Sequence, residues 1–185
     1  MSIPKPFYTP DEIIKEIDRL ITAPGYLPFK TDGKTQLYSG PSELIRTVFE
    51  NIYGKGTIVR NKKRALDQAS WEDSKIIDQT NIGYYLNVFD EDAAGNTFNI
   101  FAYYKEWAKK DPTLATSPTW ARECADKVMR HASKRFAETV YGDTYTTVCG
   151  ADVRRIFCEV ELPVLIDNMK VTSINGLPMA LIRDV

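Results

Sequence analysis

The sequence predicts an α+β fold: a small bundle of three to four helices, an inserted β-hairpin subdomain, and an extended C-terminal tail or hairpin. Three observations carry this expectation. The chain opens with two segments of helical apolar periodicity, turns aromatic and β-patterned in its middle, and then carries its longest helical stripe. With 185 residues, 43% of them hydrophobic, it suits a single domain spanning 1–185 with a substantial insertion.

The first helix is signalled most completely. Thr9 is placed to cap it, Pro10 suits its first position, and Glu12 completes a capping box with Thr9. Ile13, Ile14, Ile17, Leu20 and Ile21 form its apolar stripe, and Ala23-Pro24-Gly25 ends it. After a polar connection, Pro41 opens a second helix. Leu44, Ile45, Val48, Phe49 and Ile52 are expected to face inward there, with Gly54 as the stop.

Residues 57–116 read as a β-rich insertion, in which 81–107 pattern as two β-runs around a loop holding Gly95 and Asn96. A long helix follows, with Ser117 as cap, Pro118 at its start, Val140 near its end and Gly142 as the stop. Trp120, Ala121, Cys124, Ala125, Val128, Ala132 and Phe136 make its apolar face.

The stretch ADVRRIFCEVELPVLID, 151–167, fits two periods. As a strand, it lines up Ile156, Cys158, Val160, Leu162 and Val164 on one face and sets Glu159 and Glu161 on the other, about 6.6 Å apart. As a helix, Val153, Ile156, Phe157 and Val160 form the stripe and the two glutamates diverge. The helix is the expectation, running to about Glu161 and broken at Pro163, whose ring lacks a donor and crowds the preceding turn. Residues 163–185 then form a C-terminal extension, with Asn175-Gly176 as a turn between two apolar runs.

Composition narrows the function. Lysine and arginine number 24 against 25 acids, a balance that argues against a dedicated nucleic-acid binder. No run reaches the length of a membrane span, and the N-terminal residues lack the apolar core of a secretory signal. Cys124, Cys149 and Cys158 form no paired spacing and read as free thiols of a reducing compartment. The single histidine, His131, reads as a solvated or packed helical side chain, and no metal or cofactor is expected. The acids at Asp90–Asp92 read as a hydrated hairpin tip. Arg60, Lys62, Lys63 and Arg64 are candidates for contact with DNA or another anionic surface, against the simpler reading of a solvated loop.

Two resemblances add to this. The pair Glu159-x-Glu161 resembles the acidic pair of ADP-ribosyltransferases, which would imply a mono-ADP-ribosyltransferase-like enzyme with Glu159 and Glu161 as its catalytic residues. The stretch ECADKVMRHASKRFAETVYGD, followed by ADVRRIFCEVE, resembles the head-to-tail adaptor proteins of short-tailed phages, the tail tubular protein A type. That second resemblance extends in element order over most of the chain. It implies a virion structural protein, assembled in the host cytoplasm, with no bond chemistry. Such a protein forms a ring, usually twelvefold, between the portal protein and the tail tube or nozzle, with non-specific DNA contact in the channel and no membrane contact. Phe101, Tyr103, Leu177 and Met179 are then the expected subunit contacts, since exposed apolar patches mark interfaces. A small inhibitor or immunity-type binding protein is a further alternative.

Overall fold

A computed structural model describes residues 4–31, 33–39, 43–54, 65, 75–148 and 151–184, without the side chains of Glu43, Leu44 and Phe49. Among these residues the chain is α+β, with seven α-helices, a mixed four-stranded sheet and a separate β-hairpin. The helices are α1 (Pro10–Thr22), α2 (Glu43–Tyr53), α3 (Asn81–Asn87), α4 (Ile100–Lys110), α5 (Trp120–Thr139), α6 (Leu162–Asp167) and α7 (Met179–Arg183). The strands are β1 (Thr35–Tyr38), β2 (Asp90–Glu91), β3 (Thr97–Phe98), β4 (Gly142–Thr147), β5 (Val171–Ile174) and β6 (Leu177–Pro178). The chain divides into two compact units, Met1–Lys30 with Asp78–Ala132, and Thr31–Ile77 with Ser133–Val185.

In the first unit, α1 begins as its sequence dictates. The Thr9 hydroxyl accepts from the Glu12 N–H, the Glu12 carboxylate accepts from the Thr9 N–H, and Pro10 stands in the first turn. Ile13 and Ile17, one turn apart, carry the burial. The His131 imidazole Nε2 lies 2.8 Å from Asp18 Oδ1, and Lys127 pairs with Asp11 at 2.8 Å, tying α5 to α1.

The expected β-runs over 81–107 are not what forms. This stretch is helical on both sides of a very short hairpin. Thr80 caps α3 by accepting from Gly83 N–H, and Asn99 caps α4 by accepting from Ala102 N–H. The aromatics that look strand-like by type are spaced for a helix. Ile100, Tyr103, Tyr104 and Trp107 fall at i, i+3, i+4 and i+7, and the first three are buried. Side-chain spacing and two good caps outweigh β-propensity here. The hairpin survives as two residue pairs, Asp90 with Phe98 and Glu91 with Thr97. Asp92 closes it by accepting from the N–H groups of Ala94 and Asn96, both at 2.9 Å.

Ahead of α1, residues 4–9 form an extended arm. Lys5 and Phe7 turn inward, while Pro4, Pro6 and Tyr8 are exposed. The Phe7 ring centroid lies 5.4 Å from that of Trp107 and 6.3 Å from those of Tyr104 and Trp120. The Lys5 ammonium sits over the Phe89 and Tyr85 rings, 4.2 and 4.9 Å from their centroids. The Tyr103 hydroxyl accepts from Tyr8 N–H at 2.6 Å and donates to the Pro6 carbonyl at 2.7 Å. Tyr104 donates to the Tyr8 carbonyl at 3.1 Å, and Lys5 N–H donates to Asp90 Oδ1 at 2.9 Å. Burial pushes the phenols of Tyr85 and Tyr103 up to about 12 and that of Tyr104 further up, so all three stay neutral hydrogen-bonding groups.

The second unit is built on the sheet, in the order β1-β4-β5-β6. β1 and β5 both pair in parallel with β4, while β6 returns antiparallel to β5. That return uses the turn signalled by Asn175-Gly176, both with positive φ, 50° and 79°. Asn175 also reaches back to β4: its side-chain oxygen accepts from Thr146 N–H at 2.8 Å. Residues 163–185, expected as an extended tail or hairpin, therefore hold most of α6, the β5–β6 hairpin and the short helix α7. Arg183 of α7 donates to the carbonyls of Ile166 and Asn168, each at 2.8 Å, satisfying groups at the end of α6. The other side of that end is closed by Asn168, whose side-chain amide donates to Ala137 and Val140 carbonyls at the end of α5.

Before α6, residues Phe157–Glu161 form a π-helical turn. The helix expectation for this segment holds only from Ile156 on, since 151–155 is not helical, and Pro163 does not break the helix. The Leu162 N–H donates to the Phe157 carbonyl, five residues back, and Pro163 then occupies the first turn of α6. The wider turn shifts the hydrogen-bond register, so the donor that proline lacks is not required and its ring is accommodated.

A second correction concerns α2. Gly54 stops it as expected, its N–H donating to Glu50 at 2.9 Å. Of its stripe, the side chains of Leu44 and Phe49 lie outside the described residues, and the other three, Ile45, Val48 and Ile52, are not turned inward but exposed, Val48 to 46% and Ile52 to 65%.

Candidate functional site

The sequence offers two kinds of candidate: a carboxylate pair for chemistry, and apolar or basic surfaces for assembly. The π-turn decides the geometry of the first. Residues two apart on a helical turn point to different sides, so Glu159 is exposed while Glu161 is 5% exposed and turned into the second unit. Glu161 is hydrogen-bonded to the Ser133 hydroxyl on α5, among Phe136, Ala137 and Leu165 as fellow buried residues of that unit. Burial without a counter-charge pushes its carboxyl up to about 8, and the Ser133 hydrogen bond works in the opposite sense. At neutral pH this group is a neutral acid locked in the interior. The two glutamates do not stand side by side as the strand reading would have placed them.

The expected contact residues separate in the same way. Tyr103 and Met179 are interior, each 1% exposed, and Tyr103 spends both hydrogen-bonding directions of its hydroxyl on the arm. Phe101 on α4 and Leu177 on β6 are open to solvent, at 44% and 49%. The basic run Arg60, Lys62, Lys63 and Arg64 lies outside the described residues, as does Cys149. Cys124 and Cys158 are free thiols, both half-buried. Among the described residues no cluster of histidine, cysteine or acidic side chains could hold a metal ion. No helix among them is long and apolar enough to cross a membrane.

What the second unit does present is apolar surface. Val48, Ile52 and Tyr53 lie on the outer side of α2, and Leu177 and Leu181 are exposed on the C-terminal hairpin and helix. On α2 the spacing of Ile45, Val48 and Ile52 is that of a packing face, at i, i+3 and i+7, yet this face is turned to solvent. The stripe was legible in the sequence; its outward orientation was not. Ser133 was missed altogether, although its place between Ala132 and Phe136 on the apolar side of α5 marks it for burial.

Comparison with known proteins finds no family model, no curated relative and no solved structure that matches the chain.

Proposed function

We propose that this protein is a structural connector that assembles with copies of itself, of the kind that forms the head-to-tail adaptor ring of short-tailed phage virions. In this reading it docks between a portal protein and a tail tube, with a bundle of α1, α4 and α5 in each copy and DNA passing through the channel. The observation that carries the self-association is the solvent-facing stripe of α2, an apolar packing face with more than a third of each described side chain exposed. An amphipathic helix normally buries such a stripe, and a ring of identical subunits supplies a neighbour to bury it against. The resemblance of 123–143 and 151–161 to the adaptor family supplies the kind of assembly. The charge balance, 24 lysines and arginines against 25 acids, argues against a dedicated nucleic-acid binder.

Mass photometry of the purified chain, alone and mixed with portal and tail-tube proteins, tests the reading. The wild type is expected to form a closed oligomer or to join one on the portal. The double substitution Val48→Lys with Ile52→Lys, at exposed positions that leave the fold intact, is expected to weaken assembly by roughly tenfold or more. A wild-type chain that stays monomeric in every mixture overturns the proposal.

A further inference from the structure

The β5–β6 turn is tied to β4 by one side chain. Backbone pairing of β5 with β4 runs only as far as Ile174 opposite Thr144, and Asn175 N–H adds a last bond to the Thr144 carbonyl at 2.9 Å. Beyond that point the Asn175 amide takes the place of a strand. Its oxygen accepts from Thr146 N–H at 2.8 Å, and its nitrogen donates to the Thr146 hydroxyl at 2.8 Å and to the Thr146 carbonyl at 3.3 Å. Asn175 is the one non-glycine residue with positive φ among those described, and Gly176 follows at 79°, as this tight turn requires. The same pair carries chemistry, and it is the one Asn-Gly step in the chain. Gly176 has no side chain to shield its backbone nitrogen, and among the described residues no group accepts its N–H. Both residues are exposed to water.

We propose that Asn175 is a deamidation site held shut by Thr146, and that a chain whose C-terminal hairpin leaves β4 is modified there irreversibly. In the reaction the Gly176 nitrogen gives its proton to water or hydroxide and attacks Asn175 Cγ. The N–Cγ bond forms, the Cγ–Nδ2 bond breaks, and Nδ2 leaves as ammonia with a proton from solvent. Water then opens the five-membered imide, giving aspartate by attack at one carbonyl and isoaspartate at the other. No redox partner or further reagent enters. Ring closure swings Cγ toward the Gly176 nitrogen, so all three bonds to Thr146 have to break first. The docked hairpin is therefore protected in proportion to how rarely it opens. The product no longer fits the place the amide held. Aspartate at 175 sets a carboxylate oxygen, which has no N–H, against the Thr146 carbonyl. Isoaspartate adds a main-chain carbon to a turn whose two residues fix the β5–β6 register. Opening thus becomes a one-way step.

The test follows the full chain at mildly alkaline pH, folded and in denaturant, by mass spectrometry of the proteolytic fragment that holds residue 175. The folded chain is expected to lose the amide roughly tenfold more slowly than the unfolded one, or slower still. Thr146→Val removes one of the three bonds and keeps a strand-forming side chain, so the folded variant is expected to lose the amide roughly fivefold faster than the folded wild type. Thr146→Ser keeps the hydroxyl and is expected to stay near the wild-type rate. Asn175→Asp, which makes one product directly, is expected to show roughly tenfold faster amide exchange over residues 171–178. Equal rates for the folded and unfolded wild type overturn the guarded site, as does a Thr146→Val rate no higher than the wild type's. An Asn175→Asp hairpin as well protected as the native one overturns the one-way step. If Thr146→Val loses its cooperative melt, the wild-type ratio of folded to unfolded rates and the exchange of Asn175→Asp decide the matter by themselves.

Discussion

Replacing Glu161 by glutamine should reverse the usual penalty for altering a buried polar group, and should do so only above acidic pH. Glu161 is 5% exposed, its hydrogen-bond partner is the neutral Ser133 hydroxyl, and burial raises its carboxyl from 4.5 to about 8. The sign follows from the form the fold prefers. The folded chain keeps the proton while the unfolded chain gives it up, so the group's contribution is whole below about pH 4.5, shrinks as pH rises, and is gone above about pH 8. Within that window the slope is about 1.4 kcal/mol per pH unit, which amounts to about 3 kcal/mol by pH 7. Glutamine has nearly the same shape, still hydrogen-bonds Ser133, and does not titrate. Urea unfolding of both proteins, followed by circular dichroism from about pH 5 to pH 8, measures the difference directly. The Glu161→Gln variant should gain on the wild type steadily as pH rises, by about 3 kcal/mol across that range. A stability difference that is flat with pH would refute the reasoning, since it would mean that Glu161 ionises equally in the folded and unfolded chains. Ser133→Ala gives an independent check: without that hydroxyl the carboxyl should titrate at still higher pH, because the hydrogen bond favours the ionised form.

Two further substitutions test the packing argument. Thr144 is fully buried opposite Thr35 in the sheet, and among the described residues no group hydrogen-bonds its hydroxyl. Thr144→Val, nearly isosteric, should therefore raise the unfolding free energy by about 1 kcal/mol, and a loss of that size in the same urea titration would show that the hydroxyl has a partner. Tyr104→Phe keeps the aromatic packing but removes the hydroxyl that holds the Tyr8 carbonyl, so it should lower stability by about 1 kcal/mol and speed amide exchange in the arm. An arm as protected as in the wild type would contradict the clamp.

Local signals served where the physics was local. The capping box at Thr9, the stop at Gly54, the Asn175-Gly176 turn and the apolar face of α5 each depend on residues a few positions apart, and each stands where its spacing put it, whereas α5 ends at Thr139 and Gly142 opens β4. In α4 the spacing of Ile100, Tyr103, Tyr104 and Trp107 outranks the strand preference of aromatic residues, and in α3 the Thr80 cap does. Of the candidate contacts, Phe101 is open and Tyr103 interior, as the helical spacing of 100–107 dictates once α4 is read as a helix, while the difference between open Leu177 and interior Met179 comes from tertiary packing.

Alone, the order of amino acids determined the capped start of α1, the stop of α2 and the Asn175-Gly176 turn, because capping and turn chemistry are settled within one or two turns of chain. Only the tertiary structure decided that β1 would meet β4 more than a hundred residues away, Thr35 against Thr144, since that pairing rests on polar, threonine-rich strands with no alternating apolar pattern to announce them. It also decided which glutamate would be sealed in and which left in water, and which way the stripe of α2 would face. Burial is a property of what packs against a residue, and that partner comes from elsewhere in the chain, or from another chain.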